Sequence, residues 1–216
     1  PVVYSRYRSR DEIVARTLRL LGNMTIDGCA LAGEILARIK ARTQMLKRRP
    51  RIVAYVAPDE TPATRSYLKI KERSANGAGC DFEIVRSLEF PESADAIIVQ
   101  LPLSDGMDAK TVCNSIPLDK DADVLSAAAR EKFEGSAEGA LLPPVTAAVK
   151  EILAFGKVAI PGKRAVVIGN GFLVGAPVAM WLKQQGAEVE VFTMESNPEA
   201  LAAALREADL VVTGAG

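Results

Sequence analysis

The chain has 216 residues, 27 of them lysine or arginine and 27 aspartate or glutamate, so its formal net charge is zero. This balance argues against a nucleic acid as the main partner, because nucleic-acid-binding proteins usually carry an excess or a stripe of basic residues. Histidine is absent, which excludes Ser-His-Asp and Cys-His nucleophilic sites and the usual histidine-based metal centres, and we expect no metal site.

The cysteines and the lack of long apolar runs bear on location. Cys29, Cys80 and Cys113 lie far apart with no CxxC pair, a pattern typical of free thiols in a reducing cytosol. No apolar run reaches the length of a membrane span, and the first residues lack the apolar core of a secretory signal. We therefore expect a cytoplasmic protein without a membrane partner. The basic run 47–51 is interpreted as a solvated helix end.

Apolar periodicity and turn residues predict the elements of the first half. Residues 1–23 begin polar and arginine-rich and then become amphipathic, which predicts a short helix after a loose start. After a turn at 26–28, the pattern predicts in order a helix over 29–46, a strand over 51–56, a helix over 63–76, strands over 82–85 and 96–100, and a helix over 108–116.

The second half alternates more regularly. It is predicted to contain a helix over 146–155, a strand over 164–168, a helix over 175–185, a strand over 188–192, a helix over 198–207 and a strand over 210–213. Strands that alternate with helices favour parallel sheets with right-handed crossovers. The fold class is therefore α/β, and the chain is expected to form two lobes.

A glycine turn follows the first strand of the second half. The apolar run 165–168 leads into Gly169, Gly171 and Gly175, and a helical pattern follows. Glycines between a strand and a helix let backbone N–H groups approach a pyrophosphate, although the spacing is one residue longer than the usual dinucleotide pattern. Glu195 follows the next strand, where an acidic residue binds a ribose 2′-hydroxyl. A plain tight turn and a solvated glutamate are the alternatives.

Tyr67 and Lys71 lie four residues apart on the helix predicted over 63–76, so they share one face. Lysine is the nitrogen base left to a chain without histidine, and burial would lower its pKa toward neutrality, where it could move a proton. The alternative is a solvated helix face, because this spacing is common on helix surfaces.

Two further polar positions of the first half are candidate site residues. Gln100 ends the strand predicted over 96–100, where its amide could orient a carbonyl group or a water molecule. The loop 119–123 carries three carboxylates, the last of them Asp123. Calcium is not expected there because the EF-hand spacing is absent, and a surface turn is the alternative.

Taken in order, these segments resemble the bifunctional methylenetetrahydrofolate dehydrogenase/methenyltetrahydrofolate cyclohydrolase family over about residues 26–216. The matching segments are Ile-Asp-Gly at 26–28, the YxxxK helix at 67–71, IIVQLPL at 97–103, KDAD at 120–123 and VIGNGFLVGAPVA at 167–179.

The resemblance implies a folate-binding lobe over 1–145, with 1–23 as an extension, and a Rossmann-like NAD(P)-binding lobe over 146–216, with a cleft between them. It implies oxidation of 5,10-methylenetetrahydrofolate to the methenyl form and hydrolysis of that to 10-formyltetrahydrofolate. A homodimer is also implied. The residues implied in these reactions are Lys71 as the catalytic lysine, Tyr67 against the folate's aromatic part, Gln100 in support of Lys71, Asp123 on the pterin, and Gly169, Asn170, Gly171 and Gly175 under the coenzyme.

Several positions depart from the family pattern. Asn170 and Gly171 replace the family's Arg-Ser, and loss of a guanidinium near Glu195 makes NAD a rival to NADP. Val124 replaces a glycine after Asp123, which puts the backbone path there in question. The family's PCTPxG segment reads PPVTAA at 143–148.

The end of the sequence and the altered turn leave the function open in two ways. Family members continue beyond residue 216, so the second sheet is expected to lack part of the coenzyme wall, or the sequence is a fragment. The alternatives to the bifunctional enzyme are a cyclohydrolase with impaired dehydrogenase activity and a non-catalytic relative that binds folate or a nucleotide.

Overall fold

Residues 25–214 are described by a computed structural model, and they contain two three-stranded parallel sheets. The described residues divide into two units, one formed by residues 32–142 and the other by residues 143–214 together with 25–31. The helix predicted within residues 1–23 lies outside the described residues. No helix within 25–214 has the length and apolar character that crossing a membrane requires.

The first seven elements agree with the predicted order, with one addition. They are α1 (Gly28–Thr43), β1 (Arg51–Tyr55), α2 (Pro62–Gly77), β2 (Asp81–Val85), β3 (Ala96–Val99), α3 (Ala109–Asn114) and α4 (Ala127–Glu134). The strands pair in parallel in the order β2-β1-β3, which confirms the predicted parallel sheet. α4 was not predicted, because its eight residues bury only Ala129 and Phe133 and so show little periodicity.

Both faces of this sheet are buried. Val53 and Tyr55 of β1 pack on one face with Ile97 and Val99 of β3, and the intervening residues pack on the other face against Leu68 of α2. Burial on both faces is the usual state of a parallel strand, and it explains the continuous apolar runs in the sequence. The strands are therefore held firmly, and their carboxyl ends can support a site.

A chain segment beyond β3 is attached to that strand. The Ile97 N–H donates to Lys120 O at 2.7 Å, and the Ala122 N–H donates to Ile97 O at 3.3 Å, which forms an isolated parallel bridge between Ile97 and Asp121. Val124 follows in a left-handed conformation with φ 55° and is 1% exposed. The valine thus occupies a region of backbone space that favours glycine.

The basic run at the start of β1 is ion-paired at the amino end of this sheet. Arg48 donates to both oxygens of Asp95 at 2.6 and 2.7 Å, and the Arg51 N–H donates to Asp95 at 2.8 Å. Arg49 pairs with Asp81 at 2.9 Å, and Arg51 pairs with Glu83. The run is solvated as expected, since Arg48 and Arg49 are 63% and 54% exposed, but it leads into β1 rather than ending the helix, which stops at Thr43.

The second unit contains the remaining elements at the predicted places. They are α5 (Pro144–Phe155), β4 (Arg164–Ile168), α6 (Gly175–Gln184), β5 (Glu188–Phe192), α7 (Pro198–Glu207) and β6 (Leu210–Thr213). The strand order is β5-β4-β6, all parallel. Val166 and Val167 of the central strand are buried with Trp181 and Leu182 of α6, so the strand-turn-helix segment is the centre of this unit.

The contacts of Asp95 with Arg48 and Arg51 predict a pH-dependent contribution to the free energy of unfolding. The hydrogen bonds from Arg48 and then from the Arg51 N–H lower the pKa of Asp95 from 3.8 to about 2. A lowered folded-state pKa means that the stabilisation is present above the unfolded-state value and is lost as pH falls through about 2. We expect Asp95→Asn to lower the free energy of unfolding at neutral pH by about 0.5–1 kcal/mol, the range for an exposed ion pair.

Urea unfolding of the wild type and Asp95→Asn at neutral pH and at successively lower pH measures this effect. The difference between them should shrink between about pH 4 and pH 2, whereas the exposed Asp119→Asn serves as the control and should show no such trend. A difference that stays constant over this range would contradict the assignment.

The left-handed Val124 predicts an unusual order of stability for two truncations. At φ 55° an alanine keeps the backbone penalty that glycine avoids, so we expect Val124→Gly to be more stable than Val124→Ala by about 0.5–1 kcal/mol. At the buried helical Ala129, a change to glycine should instead destabilise by about 1 kcal/mol. Chemical denaturation of the three variants tests this, and a Val124→Ala protein more stable than Val124→Gly would disprove the strain argument.

Candidate functional site

Lys71 and Asp123 form the charged pair of the first unit. The Lys71 Nζ lies 3.4 Å from Asp123 Oδ2, and the two side chains are 34% and 19% exposed. Lys71 comes from α2 and Asp123 from the loop that is bridged to β3. The two residues, 52 positions apart in sequence, are thus brought together as partners that remain accessible to a ligand.

The start of α2 fixes the direction in which Lys71 and Tyr67 project. The Thr61 hydroxyl accepts a hydrogen bond from the Thr64 N–H at 3.1 Å, and Pro62 occupies the first helical position. Both are strong helix-start features. Thr64 and Leu68 are buried, so they fix the inner face of the helix. Tyr67 is 53% exposed and lies one turn before Lys71, which confirms that the two positions are on neighbouring turns of one helix.

Gln100 follows β3 and has one hydrogen-bonding atom without a partner. Its side chain is 9% exposed, and its Nε2 donates to Leu101 O at 2.8 Å. Its Oε1 is buried with no hydrogen-bond partner. A buried unpaired acceptor is unfavourable, and such atoms in native proteins commonly await a ligand or water. No hydrogen bond joins Gln100 to Lys71 directly in the described chain, so its predicted support of Lys71 stays a prediction.

The protonation of Asp123 is shifted by its surroundings. Burial raises the pKa of the Asp123 carboxyl, the ammonium of Lys71 opposes this shift, and the nearby Asp121 adds to it. The net direction is upward. Two oxygens of this carboxyl group can accept hydrogen bonds, one from Lys71 and one from a donor group of a ligand.

The turn of the second unit requires glycine at two of its three glycine positions, and the third has free space around it. Gly169 has φ 95°, and its N–H donates to Phe192 O at 2.7 Å. A Cβ on Gly175 would lie 1.9 Å from Gly169 O, so no other residue fits there. A Cβ on Gly171 would meet nothing within 4 Å. The backbone over the turn is therefore open where a ligand would approach.

The amino end of α6 has no capping side chain. Val174 occupies the cap position without a side-chain hydrogen bond, as does Pro143 at the start of α5. Four other helices are capped by side chains, which are those of Thr61, Asp108, Ser126 and Asn197. The first N–H groups of a helix need acceptors, and an anion supplies them well. The uncapped end and the open Gly171 together fit the pyrophosphate of a dinucleotide.

Glu195 lies beyond the end of β5, the strand adjacent to β4 and its glycine turn. It accepts a hydrogen bond from Thr193 Oγ1 at 2.5 Å, and this bond lowers the pKa of the exposed Glu195 carboxyl. Glu195 is therefore ionised at neutral pH. A carboxylate accepts well from a ribose hydroxyl and repels a 2′-phosphate.

Sequence analysis did not single out Asp121, which is buried beside Asp123. Asp121 is 1% exposed, and its carboxylate accepts hydrogen bonds from the Leu125 and Ser126 N–H groups. The alternation Lys-Asp-Ala-Asp marked a carboxylate-rich loop but could not tell which carboxylate is buried. In the second unit, Thr146 was not predicted either; its side chain is fully buried and its Oγ1 has no partner.

Within residues 25–214 no three His, Cys, Asp or Glu side chains group to hold a metal ion.

Two family models match the chain, one to each half. The model described as tetrahydrofolate dehydrogenase/cyclohydrolase, catalytic domain, matches residues 26–123. The model described as tetrahydrofolate dehydrogenase/cyclohydrolase, NAD(P)-binding domain, matches residues 143–216. The first range contains Lys71, Gln100 and Asp123, and the second contains the glycine turn.

Individual relatives agree with both models. The bifunctional protein FolD of Prochlorococcus marinus is 31% identical over 210 residues, which cover 88% of this chain and 68% of the relative. The crystal structure of the bifunctional enzyme FolD from Campylobacter jejuni is 27% identical with a TM-score of 0.82, covering 88% of this chain and 73% of that one. The Trypanosoma brucei methylenetetrahydrofolate dehydrogenase-cyclohydrolase, complexed with NADP cofactor and inhibitor, is 28% identical with a TM-score of 0.81 and coverages of 89% and 72%. The chain therefore belongs to the tetrahydrofolate dehydrogenase/cyclohydrolase family.

Proposed function

We propose that Lys71, Tyr67, Gln100 and Asp123 carry out the folate chemistry of a bifunctional enzyme. As a member of its family, the chain is a methylenetetrahydrofolate dehydrogenase and methenyltetrahydrofolate cyclohydrolase. The comparisons favour this function over a cyclohydrolase alone or a non-catalytic relative. The observation that carries the residue assignment is the Lys71–Asp123 pair at 3.4 Å, within the range matched by the catalytic-domain model.

The hydrolysis of the methenyl form requires proton movement at one carbon. The oxygen of water bonds to the cationic methenyl carbon and loses a proton, which gives a neutral carbinol. When the bond from that carbon to N5 breaks, N5 takes up a proton and the hydroxyl gives up its own, so that the formyl group remains on N10 and one proton is released overall. In this proposal the Nζ of Lys71, in its deprotonated form, accepts the proton from water and returns it to N5. The unpartnered Oε1 of Gln100 accepts a hydrogen bond from the lysine or from the attacking water and so limits their orientations.

Substrate binding falls to the other two residues. The Asp123 carboxyl, which is 19% exposed beside Lys71, accepts hydrogen bonds from donor groups of the pterin. The half-exposed ring of Tyr67 offers an apolar face to the aromatic part of the folate. Both contacts orient the methenyl carbon toward Lys71.

NADP is the coenzyme that the NAD(P)-binding domain and the Trypanosoma brucei relative support. When bound, it supplies the nicotinamide ring that accepts a hydride from the methylene carbon. Gly169, Asn170, Gly171 and Gly175 would hold its pyrophosphate at the uncapped end of α6. We expect the ionised Glu195, which follows β5, to accept from a ribose hydroxyl, so NAD is expected to bind as well.

The assembly and the location of the protein are proposed from the family and from the cysteines. A homodimer is proposed from the family resemblance, and sedimentation equilibrium of the purified chain would test it. A cytoplasmic location is proposed because Cys29, Cys80 and Cys113 are free thiols, which suits a reducing compartment. The balanced charge supports folates and the coenzyme, rather than nucleic acid, as the ligands.

Replacing the lysine should remove hydrolysis and leave folding intact. Lys71→Met keeps the length of the side chain and deletes the proton carrier, so we expect the rate of methenyltetrahydrofolate hydrolysis to fall by about 10²–10⁴-fold. The loss of methenyl absorbance measures this rate, and circular dichroism checks the fold. Lys69→Met, on the exposed side of the same helix, is the control and should hydrolyse normally. Full hydrolysis by Lys71→Met would remove Lys71 from the mechanism.

Neutralising Glu195 should alter coenzyme selection. Glu195→Gln removes a negative charge near the expected 2′-phosphate, so the affinity for NADP relative to NAD should rise by about 3- to 10-fold. Calorimetric titration of the purified chain with each coenzyme gives both dissociation constants without turnover. Glu188→Gln, an exposed carboxylate at the opposite end of β5, should leave the ratio unchanged. An unchanged ratio in Glu195→Gln would place the 2′-phosphate away from this residue.

A further inference from the structure

The loop between α3 and α4 is held in place on both sides of Asp123. We infer that Asp121 and Arg130 are positioning residues that hold the loop so that Asp123 faces Lys71. This inference rests on the proposed role of Asp123 in binding folate. It concerns two residues that do not themselves pair with Lys71.

The first set of contacts that holds the loop is made by the buried carboxylate of Asp121. At 1% exposure, it accepts hydrogen bonds from the Leu125 N–H at 3.1 and 3.0 Å, one to each oxygen, and from the Ser126 N–H at 2.8 Å. Hydrogen bonds to an ionised acceptor are roughly twice as strong as neutral ones. The carboxylate thus links the residue two before Asp123 to residues two and three after it, and closes the loop around Asp123.

The second set of contacts attaches the loop to β3. Ile97 hydrogen-bonds to Lys120 and Ala122, one on either side of Asp121. Ile97 is 1% exposed and belongs to the core of the sheet. The backbone immediately before Asp123 is therefore as rigid as a strand, although it lies in a loop by sequence.

The third set of contacts acts on the residue after Asp123. Val124 has φ 55°, a conformation that a β-branched residue adopts only where its surroundings impose it. The Arg130 Nε, on α4, donates to Val124 O at 2.9 Å. The guanidinium also attracts Asp121 electrostatically. Arg130 therefore holds the carbonyl that would turn away if the strained residue relaxed.

These contacts leave the backbone of Asp123 little freedom. It lies between a strand-like segment and a left-handed residue, each held by a separate charged group. The distance of 3.4 Å from Asp123 Oδ2 to Lys71 Nζ is thus set by the loop rather than by the ion pair alone. Removal of Asp121 or Arg130 should let the carboxyl group of Asp123 move away from the folate.

A double-mutant cycle distinguishes positioning through Asp123 from a general loss of structure. The variants are Asp121→Ala, Asp123→Ala and the double variant, with kcat and KM measured for hydrolysis of methenyltetrahydrofolate. Asp121→Ala should lower kcat/KM by about 10- to 100-fold, mainly through KM. In the Asp123→Ala background the same change should have less than about a 3-fold effect, because the group that it positions is already absent.

Matched variants accompany the cycle. Asp121→Asn keeps one acceptor oxygen and should recover most of the lost kcat/KM, and Asp119→Ala removes an exposed carboxylate from the same loop and should have no effect. If Asp121→Ala does not fold, Arg130→Gln replaces it in the cycle, since it removes the bond to Val124 from a partly buried position.

The outcomes distinguish the proposed folate contact of Asp123 from the positioning role of Asp121. Wild-type kinetics in Asp123→Ala would show that the proposed folate contact of Asp123 is wrong. Impaired Asp123→Ala with unimpaired Asp121→Ala, or an equal effect of Asp121→Ala in both backgrounds, would leave that contact standing and overturn the positioning role.

Discussion

The parallel pairing of β1 with β3 is the constraint on which the folate site depends. Parallel strands bring their carboxyl ends to one edge, so the chain leaving β1 toward α2 and the chain leaving β3 at Gln100 start from neighbouring points. α2 then presents Lys71, and the bridge to Ile97 returns the loop of Asp123 to the same sheet. Three segments that are distant in sequence thus meet because each is attached to buried strands.

The second unit uses the same arrangement for a different chemistry. Its central strand also ends at a turn, but the turn is built from glycines and leads into a helix without a cap. Four helices satisfy first N–H groups with a capping side chain, whereas α6 begins without one and its Ala176 N–H donates to Gly171 O at 3.2 Å. In the proposed function, one unit therefore supplies side chains that move protons and bind folate, and the other presents backbone groups to a coenzyme.

Much of the fold could be predicted from the sequence, because strands buried on both faces and helices with clear caps leave strong patterns. β4, β5, β6 and α7 begin and end where they were predicted. α4 escaped prediction because a helix of eight residues with two buried positions has too few turns to show a period. The ion pairs of the basic run were not predicted, because Asp95, just before β3, and Glu83, on β2, are distant in sequence from Arg48 and Arg51, and such pairs leave no local signal.

In the candidate site, too, features set by local spacing were predicted and features set by tertiary packing were not. Lys71 and Tyr67 share a helix, so their proximity follows from spacing, and the glycine turn follows from its flanking elements. The nearness of Asp123 to Lys71 could be inferred only through the family resemblance, since 52 residues separate them. The burial of Asp121 and the unpartnered Oε1 of Gln100 depend on tertiary packing, which no spacing in the sequence encodes.

Val124 has a consequence for how relatives of this chain are identified. A glycine in a family motif is usually taken as a requirement for that residue, and its replacement as a sign that the motif is lost. Here the dihedral angle of 55° persists with a valine, since neighbouring charged groups enforce what glycine would merely permit. A search that scores residue identity at this position would penalise a loop whose conformation is intact. Chains that combine a substituted glycine with a buried aspartate three residues earlier and an arginine six residues later form a group in which this loop is worth examining.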